Sequence, residues 1–125
     1  MRVGDDAGRR TDCQAMVELA EELGDEDLLG TALLRTVALL RGRGERAAEG
    51  SAIVRLHGLG ERSGSTRWLL EAALAQARFE INRADEAAAE AIFAAAEPHV
   101  AVVEDARLAL EFWVARANTA LGTES

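Results

Sequence analysis

Helix-opening and helix-ending residues recur along this chain at one spacing. Asp25, Ser65 and Asp105 stand forty residues apart, and a Gly or Asn follows each of them at Gly42, Asn82 and Gly122. Asp and Ser open helices because their side-chain oxygens accept the free backbone N–H groups of the first turn. Gly and Asn close helices because they tolerate the left-handed exit conformation. Two kinds of punctuation sharing one period predict a helical repeat array of about forty residues per unit. The expected fold is therefore all-α, an antiparallel helix-hairpin solenoid of about six helices.

The apolar spacing agrees. Residues 1–10 are polar and read as a flexible lead-in, 11–122 as the repeat domain and 123–125 as a tail. Steps of three and four predict a first helix from about Thr11 to Leu23, bearing Met16, Val17, Leu19, Ala20 and Leu23. The second, about Glu26 to Arg41, is apolar around most of its circumference, as an inner helix of a stack would be. A weaker third helix, about Glu45 to His57, contains Gly50, which costs about 1 kcal/mol against Ala. The loop GLGERSG after it is the expected flexible point. The fourth helix runs from about Thr66 to Ile81. The fifth, Ala-rich, runs from about Glu86 to Glu97 and stops at Pro98, where a ring inside a helix would clash with the preceding turn. The sixth runs from about Val102 to Leu121, with a start as early as His99 allowed. Apolar–polar alternation is absent, so no strand is expected.

Composition narrows the function classes. The 125 residues are 49% apolar, enough for a core, and carry a formal charge of −8. An acidic surface repels phosphate backbones, so direct nucleic-acid binding is not expected. All 14 basic residues are Arg, so a Walker A loop, which needs Lys, is impossible. No apolar run approaches the roughly 18 residues that span a bilayer, and no signal-peptide core precedes the first helix. A cytoplasmic protein with no membrane contact is expected. The one cysteine, Cys13, cannot form an internal disulfide and reads as a small core residue.

The stretch Trp68 to Pro98 resembles a tetratricopeptide-type repeat. Leu74 and Ala75 lie midway along its first helix, Asn82 at its turn, Ala87 and Ala94 on its second helix, and Pro98 near its end. Leu34, Gly42 and Ala47 fit the preceding unit. The segments LAEELGDEDLLGTALLR and RWLLEAALAQARFEINRADEA, at the longer forty-residue period, resemble the C-terminal repeats of LuxR-type and antibiotic-regulator-type bacterial ATPase transcription regulators. The resemblance covers about residues 17–97. It implies a sensor or scaffold arm in a protein whose other domains bind ATP and DNA. The first helix resembles the second half of a repeat and the sixth the first half of another. Either the chain is a piece of something longer, or these helices cap the stack.

Chemistry-bearing clusters are sparse. His57, His99 and Cys13 have no ligand spacing, so no metal site is expected. No serine has a nucleophile context, so no enzyme and no cofactor are expected. The acidic pairs at Asp25 to Asp27, Asp85/Glu86 and Glu104/Asp105 fall at helix N-termini, where the dipole favours negative charge. Trp68 and Trp113 align with apolar positions under the forty-residue shift and are expected in the core.

The resemblance implies a concave groove lined by the first helices of the repeats. Residue by residue, its rungs are Thr36, Gln76 and Arg116; Leu39, Phe79 and Thr119; and Ala32, Ala72 and Phe112. The partner-binding set drawn from them is Thr36, Leu39, Gln76, Phe79, Phe112 and Arg116, a mixture suited to capturing a peptide or helix. The expected function is a non-catalytic protein-interaction module, an arm of a regulator, binding a protein or peptide partner with self-association possible. A small-effector sensor is the first alternative and a small helical-bundle enzyme the second.

Overall fold

A computed structural model describes residues 4–121 and the side chains of 8–121. Six helices follow one another: α1 (Gly4–Leu23), α2 (Glu26–Arg43), α3 (Arg46–Ser63), α4 (Thr66–Asn82), α5 (Glu86–Val102) and α6 (Ala106–Leu121). No strand occurs among the described residues. The all-α expectation holds. No described helix is long and apolar enough to cross a membrane.

The punctuation is denser than the sequence pattern implied. Gly24, Gly44 and Gly64 take left-handed conformations at φ 67°, 70° and 68°, and Ala84 does the same at φ 63°. After each, the next residue's N–H donates to the carbonyl five residues back: Asp25 to Ala20, Glu45 to Leu40, Ser65 to Gly60 and Asp85 to Glu80. This pattern satisfies the last carbonyls of a helix and turns the chain back. Asp25, Ser65 and Asp85 then open new helices, and Asp105 opens α6 after the extended Val103; their side chains accept from the N–H of Leu28, Trp68, Ala88 and Leu108. The closing motif thus recurs every twenty residues at the first four of the five reversals.

Five expected boundaries move. Gly42 lies inside α2, and Gly44 is its cap. The GLGERSG stretch is not a loop, because α3 runs through it to Ser63. Pro98 lies inside α5, which continues to Val102. The bond Pro98 forfeits would have reached Ala94 on an exposed face, while Val100, 9% exposed, packs into the core and carries the helix on. At the ends, α1 starts at Gly4 rather than Thr11, and α6 starts at Ala106 rather than Val102. Gly122 lies outside the described residues.

The chain divides into two compact units, Met1–Leu59 and Gly60–Ser125. In the first, α1 packs along α2. Its buried apolar residues include Val17 and Ala20 of α1, Leu33, Val37 and Leu40 of α2, and Ile53 and Leu56 of α3. Arg41 and the buried Glu49 pair across 3.6 Å, tying the end of α2 to the start of α3. In the second unit, α4, α5 and α6 pack mutually. Leu70 and Leu74, Phe93, and Leu108 and Phe112 form its centre, with Phe93 and Phe112 meeting edge to face at 5.5 Å. Ala77, Ala89 and Ala96 fill the remaining space, so the helix axes approach closely.

Two helix-interior glycines separate cleanly by environment. A Cβ at Gly60 would sit 2.8 Å from the Leu69 backbone nitrogen, so this glycine permits the close approach of α3's end to α4. A Cβ at Gly42 would meet nothing. Gly42→Ala is therefore expected to raise stability by about 1 kcal/mol, and Gly60→Ala to lower it by roughly 1–3 kcal/mol through overpacking. Urea unfolding of both variants checks the opposite signs.

Candidate functional site

Thr36 and Leu39 lie in the first unit, half-buried in a cleft of about 560 Å³ lined by α1, α2 and α3. Its apolar floor includes Val17, Leu33 and Ala52, and Cys13 lies half-buried along it. Two ion pairs, Arg10 with Glu45 and Arg55 with Glu21, also line it. The Thr36 hydroxyl donates to the Ala32 carbonyl at 2.8 Å, one turn back in its own helix, so its donor is already used.

The other four predicted groove residues lie in the second unit and do not share one surface role. Gln76 donates its amide to Glu80 at 2.9 Å. Phe79 is half-buried, with the Arg83 guanidinium 5.7 Å from its ring. Phe112 is fully buried and belongs to the core rather than a groove wall. Its apolar neighbours on α4 and α5 outweigh any groove position. Arg116 turns toward α5, bonding Glu90 at 2.6 Å and Glu97 at 2.7 Å. These two carboxylates raise its pKa further above its already high ordinary value. Ala32 and Ala72 are also buried, as is Thr119, which bonds the Ala115 carbonyl of its own helix.

The surface that stands out was not among the predicted rungs. α6 is apolar on two opposite faces. Leu108 and Phe112 point into the core, while Leu110, Trp113, Val114 and Leu121 remain 63%, 46%, 49% and 75% exposed. Trp113 thus corrects the core expectation, whereas Trp68 meets it at 1% exposed. Shifting α4 onto α6 by the spacing of their caps aligns Leu70 with Leu110, Leu74 with Val114, Ala77 with Ala117 and Ile81 with Leu121. The three α4 residues Leu70, Leu74 and Ala77 are at most 2% exposed. α6 therefore presents the face that α4 buries. The signal was present in the sequence as apolar residues at both 108/112 and 110/114, which lie on opposite sides of a helix.

Grooves flank this face on both sides. On the α4 side, Ile81, Leu110 and Val114 line a concavity of about 450 Å³ with Arg78, Arg107 and Glu111. On the α5 side, Trp113, Ala117 and Ala120 line one of about 590 Å³ with Glu86 and Glu90. Glu111 is neutralised by Arg107 at 3.2 Å and Arg78 at 4.0 Å. The largest apolar patch on a typical monomer covers roughly 300–600 Å² and is often functional. No group of three or more metal-ligating side chains occurs among the described residues.

Among the described residues, Glu71 is the carboxylate whose ionisation is shifted. Burial raises its pKa, the nearby Glu111 adds to the rise, and Arg67 and Arg107 oppose it. The folded protein thus holds this proton more tightly than the unfolded chain. The associated stability is complete below the ordinary carboxylate range and is lost as pH rises through the raised folded value. Glu71→Gln is accordingly expected to melt above the wild type at pH 7, with the gap closing toward acid, and thermal melts across pH read this directly. A gap that did not depend on pH would remove the assignment. No family model, curated protein or solved structure matches this chain.

Proposed function

We propose that this chain is a non-catalytic protein-interaction module that receives a helical partner on the outward face of α6. The observation that carries the reading is the exposed row Leu110, Trp113, Val114 and Leu121 on a helix whose opposite face is already packed. An apolar row at three- and four-residue steps is matched by another amphipathic helix, whose own anchors recur at the same steps. The two grooves beside α6 give room for the flanks of such a helix. On this reading the module is a tetratricopeptide-like helical-repeat arm of a cytoplasmic bacterial regulator of transcription. What supports that assignment is the pair of forty-residue-spaced segments that resemble regulator repeats.

A second reading rests on the first unit's cleft. Its volume of about 560 Å³ and its mixture of an apolar floor with Gln14, Thr36 and Ser51 suit a small effector. A ligand of the folded state raises the melting temperature. On this reading a thermal-shift screen of metabolites finds a compound whose effect is abolished by Leu33→Trp, which fills the floor. No shift with any compound tested would count against it.

Amphipathic helical peptides selected by display against the full chain provide the test of the main reading. Leu110→Asp and Val114→Asp are each expected to weaken their binding by roughly tenfold or more, with far-UV circular dichroism unchanged. Peptides that bind both variants as tightly as the wild type would remove α6 as the docking face.

A further inference from the structure

We infer that the occupant of the α6 face is α6 of a second copy, paired antiparallel about a two-fold axis. This deepens the interaction reading and rests on it. The seam consists of Leu110, Val114, Ala117 and Leu121, separated by steps of four, three and four, the spacing by which two helices interdigitate. All four are exposed.

The row is also symmetric about its own midpoint, between Ala115 and Arg116. An isologous contact requires this, because each residue must meet the counterpart of its partner. Antiparallel pairing about that midpoint sets Leu110 against Leu121 of the second copy, and Val114 against Ala117 of the second copy. In the second pair the larger Val114 faces the smaller Ala117, which lets the axes close there. Trp113 lies beside the seam and extends it over the α5-side groove.

Area and the absence of charge within the seam favour the same occupant. The four large exposed side chains present on the order of 400 Å² per copy, so pairing hides on the order of 800 Å², and the flanks bring the total toward the low end of specific interfaces at about 1,200 Å². No charged residue lies in the seam. The charges at its edges are already satisfied within one chain: Glu111 by Arg78 and Arg107, and Arg116 by Glu90 and Glu97. Pairing therefore strips no lone charge of water. Two copies each carrying −8 repel one another. Salt screens that repulsion, so an apolar seam tightens as salt is added, the reverse of a charge-held contact.

Sedimentation velocity of the full chain tests the inference from about 5 µM to about 500 µM, a range bracketing the micromolar affinities of small interfaces. A monomer–dimer equilibrium that strengthens with salt is expected. Val114→Asp and Leu110→Asp should each weaken it roughly tenfold or more with helicity unchanged. In a Cys13→Ser background, a mixture of Val114→Cys and Ala117→Cys chains should cross-link more readily than either alone, which fixes the antiparallel register. A monomer at every concentration overturns the inference, as does a dimer that survives both aspartate variants. If that monomer still binds the selected helical peptides at α6, self-pairing fails alone. If it binds none, the interaction reading fails with it.

Discussion

Each reversal of this chain except the last depends on one backbone hydrogen bond. It runs from the residue after a left-handed position to the carbonyl five residues earlier. That bond closes one helix, and the very next side chain or backbone carbonyl opens another, so a link of two or three residues suffices. Such short links suit antiparallel pairing, as α1 with α2 and α4 with α5 show. The left-handed residue is Gly at three of the four reversals and Ala84 at the fourth, where a side chain is accommodated at a cost of order 1 kcal/mol. The α5–α6 connection lacks the device. There Val103 is extended and Asp105 alone reopens the helix.

Once helices lie alongside, their faces must be covered. Helices of 16 to 20 residues are marginal by themselves in water and draw most of their stability from packing. α4 meets this demand from α5 and α6, and its Leu70, Leu74 and Ala77 vanish from solvent. α6 carries the matching row at the same distance from its cap and leaves it in water. On α6, Leu110 and Val114 stand exposed at positions that correspond to the buried Leu70 and Leu74 of α4.

Local punctuation was legible in the residues themselves. Asp25, Ser65 and Asp105 cap as their chemistry dictates, because a cap needs only a side-chain oxygen and three residues of chain. Glycines were harder to read. Gly42 and Gly60 carry the same local propensity as Gly44 and Gly64, yet they lie within helices. Gly60 is retained there because α4 passes within reach of its missing Cβ, and no neighbour in sequence announces that contact. Pro98 misled for the same reason: the apolar residues beyond it pack, and packing outweighed one lost hydrogen bond.

The candidate surface divides likewise. That α6 is apolar on two sides is a matter of helical periodicity, and the sequence alone determines it, together with the helix count, the caps and the absence of strands. Which side is buried is decided only by tertiary structure. Phe112 and Trp113 are adjacent, aromatic and equally apolar on paper. One closes against Phe93 and the other stands in solvent, because α4 and α5 approach α6 from a single direction. Arg116 was drawn from the same pattern as a groove residue, and two α5 carboxylates hold it instead. Periodicity orders residues around an axis. Only the position of the neighbouring helices selects which of them meets water.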